Sequence, residues 1–171
     1  LIWAARHGLA VQIVAAVVLL IVTFFLMCGL FSVAPNQGRV LQLFGDYKGT
    51  AREPGLRWAN PFFSKRAISL RVRNFETGKL KVNDNRGNPV EIATVVVWKV
   101  IDTAEAAFQV DNYENYVHVQ SEAALRNMAT AYPYDAHTDG EVALSSHTAE
   151  ISAKIKTEIQ DRLAQAGVEV I

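Results

Sequence analysis

The sequence predicts an α+β protein that consists of an N-terminal transmembrane helix followed by an antiparallel sheet packed with helices. Two observations support this class. An almost uninterrupted apolar run spans residues 13–31, and in the sequence after it strand patterns come first and helical patterns follow. We therefore predict a flank and membrane helix over residues 1–34 and one domain over residues 35–171, which can divide into a membrane-proximal part, 35–75, and a second part, 76–171.

The apolar run is long enough to cross a membrane. At about 1.5 Å per residue it reaches roughly 28 Å, close to the thickness of a bilayer's hydrocarbon core. A secretory signal has a shorter core, and Pro35 after the small residues 32–34 disfavours cleavage there. A buried helix would need a larger apolar interior than this chain can supply. We predict a retained anchor, to which these side chains belong: Ile13, Leu20, Phe24, Phe25, Leu30 and Phe31.

Composition excludes several classes of protein. Seventeen basic and seventeen acidic side chains balance, and no basic stripe interleaved with aromatic residues is present, so no nucleic-acid partner is expected. The single cysteine, Cys28, excludes an internal disulfide and a cysteine-based zinc site. We interpret Cys28 as a small apolar filler, with lipidation as the alternative.

Strand patterns fill the first half of the domain. Residues 33–44 are expected to form a strand that enters a turn at 45–49, and Pro54-Gly55 and Asn60-Pro61 mark an irregular stretch. Residues 67–75 alternate apolar and polar side chains, as in a half-buried strand. The turn formers of residues 83–89 lead into a strand over 91–100. Together with the strand over 67–75, this strand predicts a hairpin or meander.

Helical patterns fill the second half. Asp102 or Thr103 is expected to cap a short helix over 104–108. A longer helix is expected over 112–131 and a third over 146–166, which Gly167 ends before a strand at 168–171.

Several motifs, taken in order, resemble one family. They are Pro35, Gly38 and Val40 after the membrane helix, the segments 43–47 and 54–62, Asp84 before the strand at 91–100, Asp102 at its exit, Leu125-Arg126, and the segment 166–170. In this order they resemble the SPFH or band-7 proteins: stomatin, prohibitin, flotillin and their bacterial relatives. The matching residues to which we assign structural roles are Pro35, Gly38, Phe44, Gly45, Pro54, Gly55, Pro61, Asp84, Asp102, Arg126 and Gly167.

The resemblance implies an oligomeric membrane scaffold. Such proteins form rings or cages that organise a membrane microdomain, through the domain and a C-terminal coiled coil, which is expected beyond Ile171. The implied partners are membrane lipids and further copies of this chain or a paralogous SPFH chain, without a cofactor. The implied location is the bacterial inner membrane, crossed once, with the outer face preferred for the domain. A regulatory partner that encloses or modulates a membrane protease is the alternative.

Candidate catalytic and metal sites are poor. Ser145, Ser146 and His147 are sequence neighbours, a spacing that suits helix capping by a serine better than a nucleophile and base. His118 and Glu122 share a helical face without a third metal ligand, and Asp135 and His137 lie in a turn. We therefore predict no catalytic residue, no metal and no enzyme, with a membrane hydrolase as the remotest alternative.

Two surfaces are candidates for contacts. Near the membrane exit, Trp58 and the pair Phe62-Phe63, followed by Lys65 and Arg66, are predicted to touch the lipid headgroup region; a core pair of phenylalanines under the sheet is the alternative. The helix over 146–166 carries charges of alternating sign that are predicted to contact another subunit: Glu150, Lys154, Glu158 and Arg162.

Overall fold

The computed structural model describes residues 2–135, 143–145 and 147–171. The chain divides into two compact units, Leu1–Ala67 and Ile68–Ile171. The boundary expected between residues 75 and 76 falls inside a strand of the second unit.

The first unit contains the long helix and short antiparallel strands. Its elements are α1 (Ile2–Cys28), β1 (Leu30–Val33), β2 (Gln37–Leu43), β3 (Asp46–Ala51), β4 (Gly55–Trp58) and β5 (Phe63–Ser69), the last of which runs on past Ala67. One sheet pairs β1 with β4, and a second has the order β3-β2-β5. Within the described residues, one helical segment is long and apolar enough to cross a membrane, Val11–Cys28.

The membrane helix ends earlier than the apolar run. Leu30 and Phe31, predicted to belong to the anchor, instead begin β1, so that boundary was wrong. The reason is strand pairing: β1 lies antiparallel to β4, with Leu30 opposite Trp58 and Val33 opposite Gly55. An apolar run alone does not distinguish a helix end from an apolar strand that follows it.

The strand expected over 33–44 is two strands, β1 and β2. A two-residue turn, Phe44-Gly45, joins β2 to β3, so the predicted turn at 45–49 was placed too late. Phe44 adopts a positive φ of 50°, which is uncommon for a residue other than glycine. The stretch expected to be irregular around Pro54-Gly55 contains β4.

The second unit packs helices with a three-stranded sheet. Its elements are β6 (Arg73–Glu76), β7 (Leu80–Asn83), β8 (Pro89–Ile92), β9 (Val95–Val100), α2 (Thr103–Phe108), α3 (Tyr113–Ala131), α4 (Thr148–Leu163), a 3-10 turn (Ala164–Ala166) and β10 (Val168–Val170). The sheet order is β10-β9-β6, all antiparallel, and β7 and β8 form a separate hairpin.

Two predicted strands are interrupted. Residues 67–75 divide between β5 and β6, and Val72, one of the apolar residues in this alternation, is 58% exposed. Residues 91–100 divide between β8 and β9, because β8 pairs with β7 whereas β9 pairs with β6 and β10. The alternation of side chains did not reveal that the pairing partner changes.

The helices follow the predicted pattern closely. Asp102 caps α2 by accepting from the backbone N–H groups of Ala104 and Glu105, as expected, and Asn112 caps α3. The buried faces of α3 and α4 form much of the core through Val117, Leu125, Ile151, Ile159 and Leu163. The fold class is therefore confirmed.

The start of α4 differs from the prediction. His147 occupies the N-cap position without a side-chain cap bond, so capping by Ser145 was wrong. The Ser145 hydroxyl donates instead to Asp135 Oδ1, at 2.8 Å. Ser146 lies outside the described residues. At the other end, the last predicted turn is a 3-10 turn, and Gly167 ends it with φ +63°.

Candidate membrane-interface site

The end of the membrane helix is hydrogen-bonded directly to the β1–β4 sheet of the first unit. Trp58, the last residue of β4, donates its indole Nε1–H to the Leu26 carbonyl oxygen at 2.9 Å. The Ala59 N–H donates to the Gly29 carbonyl oxygen at 3.0 Å. Carbonyl groups in the last turn of a helix have no partner within the helix, so the indole satisfies one of them. Trp58, which was predicted at the interface, thus contacts the C-terminal end of α1, where the candidate membrane span Val11–Cys28 ends.

Gly29 makes this junction possible. A Cβ atom at this position would overlap Trp58 Nε1 and the Ala59 carbonyl oxygen. A residue with any side chain would therefore push the indole away from the helix end. The sequence gives no warning of this close approach, because it depends on a strand that lies almost thirty residues further along the chain.

An exposed aromatic patch lies beside the junction. The Phe62 ring is 6.3 Å from Phe25, which lies in α1, and 6.5 Å from Phe44, at the tip of the β2–β3 hairpin. Phe62 is 64% exposed and Phe44 is 88% exposed. We call Phe25, Phe44 and Phe62 the aromatic patch. Exposed aromatic rings in contact with a membrane-spanning segment are typical of interfacial contacts.

Basic side chains follow the aromatic patch in β5. Lys65 Nζ lies 5.5 Å from the centre of the Phe31 ring, in a cation–π arrangement, and Arg66 is exposed. Phe63 is half-buried, unlike the exposed Phe62, so the two phenylalanines do not form one buried pair. Three of the five predicted interface residues therefore contact the end of α1 or the residues that follow it directly: Trp58, Phe62 and Lys65.

A second polar cluster surrounds Asp84 in the other unit. Asp84 Oδ1 accepts from the backbone N–H groups of Arg86 and Asn88, and Oδ2 accepts from Asn88 Nδ2 and the Tyr134 N–H. Burial acts to raise the pKa of Asp84, but these hydrogen bonds outweigh it and lower the pKa to about 2. The carboxylate therefore fastens the β7–β8 hairpin to the chain that follows α3.

The remaining family-matching positions have structural places. Gly38 is buried in β2, Gly55 begins β4 with φ +119°, and Arg126 is exposed on α3. Pro35 and Pro54 are exposed in loops, and Pro61 is half-buried. The Gly167 carbonyl oxygen accepts hydrogen bonds from the backbone N–H groups of Ile101 and Asp102. These bonds connect the end of β9 to the turn before β10.

The candidate catalytic side chains have other contacts. The His118 ring packs on Phe75, 3.8 Å between ring centres, and His147 Nδ1 accepts the Ala143 N–H. Over the part of the chain that the structure describes, no three histidine, cysteine or acidic side chains cluster as metal ligands would. His137 lies outside that part.

The predicted subunit-contact charges pair within α4. Lys154 Nζ lies 2.8 Å from Glu150 Oε1, and Arg162 lies 2.8 Å from Glu158 Oε1. The hydrogen bond and charge of Lys154 lower the pKa of Glu150, and the hydrogen bond to Glu150 raises that of Lys154. This face therefore presents two neutralised pairs rather than four isolated charges.

Comparison with known proteins identifies the family. A family model described as "SPFH domain / Band 7 family" matches residues 31–171. A stomatin homolog of Pyrococcus horikoshii is 29% identical over 116 residues, which are 67% of this chain and 43% of the relative. The chain thus spans less than half the length of that relative. Because the family model covers most of the sequence, the chain belongs to the SPFH domain / Band 7 family.

Proposed function

We propose that this chain is the membrane-anchored domain of an oligomeric ring or cage that organises a patch of membrane and the proteins within it. Family membership supports a membrane-associated scaffold role, because members are generally non-enzymatic scaffolds. One observation carries the proposal: the helix that can span a membrane is hydrogen-bonded to the β1–β4 sheet, from Trp58 to Leu26.

The aromatic patch extends the proposed membrane contact beyond α1. Phe62 contacts Phe25, which lies one turn inside the end of the span, and Phe44 contacts Phe62. The hairpin tip is therefore held close to the level at which α1 leaves the bilayer. Apolar rings at that depth gain from burial among the lipid headgroups and upper acyl chains.

Depth labelling tests this contact. In a Cys28→Ala background, Phe44→Cys carries an environment-sensitive fluorophore, and the protein is reconstituted in vesicles with spin-labelled lipids. We expect quenching and a blue-shifted emission at position 44. The matched control is Glu53→Cys, because residue 53 lies near Gly55, which pairs with the end of β1 that is furthest from α1. Equal, weak quenching at both positions would contradict the contact.

Native mass measurement tests assembly. The full-length protein, extracted from its membrane in mild detergent, is expected to form a closed particle of many copies. A monomer both in detergent and after crosslinking in the membrane would overturn the ring or cage. Copurification of a protease subunit would instead favour the regulatory role, in which the assembly encloses or modulates a membrane protease.

We further propose a bacterial inner membrane with the domain on the outer face. Because Cys28 is the only cysteine, a Cys28→Ala, Lys79→Cys variant reports the side of the membrane. A membrane-impermeant maleimide should label it in intact spheroplasts. Labelling only after permeabilisation would place the domain in the cytoplasm.

A further inference from the structure

The neutral net charge of the chain conceals two oppositely charged units. After the membrane helix, residues 29–67 carry six basic side chains against two acidic ones, a net charge of +4. The basic side chains are Arg39, Lys48, Arg52, Arg57, Lys65 and Arg66, and the acidic ones are Asp46 and Glu53. Residues 68–171 carry ten basic and fifteen acidic side chains, a net charge of −5. The positive charge is therefore concentrated in the unit that contains the membrane helix.

The first unit also fixes the depth of this charge. The bond from Trp58 to Leu26 and the contact of Phe62 with Phe25 hold the sheet at the end of α1. Lys65 follows Phe62 by three residues, and its ammonium group lies over Phe31, which follows the helix end by three residues. Lys65 thus lies close to the end of the candidate membrane span, Val11–Cys28. A positive charge at this depth meets lipid phosphates within a Debye length.

We propose that the basic surface of the first unit binds anionic phospholipid headgroups, so that the protein selects its lipid surroundings as well as being anchored in them. This inference rests on the proposed membrane anchoring. The aromatic patch provides insertion that does not depend on headgroup charge, whereas the basic side chains provide the selectivity. The acidic second unit supplies no such attraction, and the surface potential of an anionic membrane repels it.

Lipid selectivity in vesicles tests the proposal directly. The full chain is reconstituted in phosphatidylcholine vesicles that contain trace spin-labelled phosphatidylglycerol or spin-labelled phosphatidylcholine, and the immobilised lipid fraction is measured. We expect phosphatidylglycerol to be preferred severalfold, and the preference to fall as salt rises to about 0.5 M, since salt screens exposed charges. Equal immobilised fractions of the two lipids at low salt would overturn the proposal.

Charge reversal locates the effect. Lys65→Glu with Arg66→Glu is expected to abolish the severalfold preference, since each basic side chain near a membrane surface contributes roughly a fivefold gain. The matched control is Lys79→Glu with Lys81→Glu, which makes the same change in net charge in the acidic unit and should leave the preference unchanged. Milder Lys65→Gln and Arg66→Gln changes serve if the reversal impairs folding.

Two outcomes separate this inference from the proposed function. If the chain resists alkaline extraction from vesicles but shows no lipid preference, the anchor stands and lipid selection fails. If alkaline extraction releases the chain, the anchoring on which both proposals rest fails. A basic surface that instead contacted the acidic unit of a second copy would give salt-dependent association without lipid preference, which also overturns the inference.

Discussion

The indole of Trp58 donates to the carbonyl oxygen of Leu26, 32 residues earlier in the chain, and thereby joins β4 to the last turn of the membrane helix. Leu26 also accepts the Gly29 N–H, at 3.3 Å. One carbonyl oxygen thus accepts hydrogen bonds from Gly29, which follows the helix, and from Trp58, the last residue of β4. The end of α1 is therefore fixed to β4 by defined contacts.

Trp58→Phe keeps an aromatic ring at the junction but removes the donor. Loss of one neutral hydrogen bond costs about 1 kcal/mol, so we expect amide exchange over residues 55–60 to become about fivefold faster. Hydrogen exchange with mass spectrometry on the reconstituted protein measures this. Leu56→Ala, in the same strand and 72% exposed, is the control that should leave the exchange unchanged.

Asp84 is expected to make the fold sensitive to acid. Its folded pKa, about 2, lies below the ordinary value of 3.8, so the carboxylate stabilises the fold above pH 3.8, and this stabilisation is lost as the pH falls through about 2. Asp84→Asn should lower Tm at neutral pH and flatten its pH dependence between pH 3.8 and 2. Asp111→Asn removes the same charge at an exposed site. If both variants behaved alike, the four hydrogen bonds would not stabilise the fold.

Gly167→Ala is expected to destabilise the second unit. The added Cβ would occupy a left-handed position, φ +63°, and would overlap the Asp102 carbonyl oxygen. The conformation alone costs about 1–2 kcal/mol, and the overlap adds to it. Gly87→Ala is the control, because Gly87 also has a positive φ, +83°, but open space around it. Thermal unfolding of the two variants separates strain from overlap.

Exchanging the charges of one pair tests the predicted subunit contact. A Glu150→Lys, Lys154→Glu variant retains an ion pair within α4 but reverses the charges offered to a neighbour. Exposed helical pairs contribute about 0.3–0.5 kcal/mol, so folding should hardly change. We expect the assembled fraction in native mass measurements to fall. Unaltered assembly would remove this face from the subunit contact.

The helices of the second unit could be predicted from the sequence because their signals are local. Asp102 precedes a helical run as a cap, and Gly167 follows one as a stop. The apolar spacing of α3 and α4 matches the faces that are buried. Each of these signals depends on residues within a turn or two, which a single sequence displays fully.

The first unit was predicted less well because its pairing is not local. β1 and β4 are short, and each finds its partner more than twenty residues away. Side chains near the end of α1 could be predicted as candidates for a membrane contact, because aromatic and basic residues cluster in the sequence around Trp58 and Lys65. Gly29 and the link from Phe44 to Phe62 could not, since they arise from approaches between separate elements.

A single residue, Gly29, separates the membrane helix from β1. The hydrogen bond from Trp58 to Leu26 spans the same short connection, so we expect α1 and the β1–β4 ribbon to move as one body. A bilayer that thins makes a long helix lean to keep its apolar length covered. We expect such a lean to rotate the β1–β4 ribbon together with α1, so that a change in membrane thickness would change the orientation of these two strands.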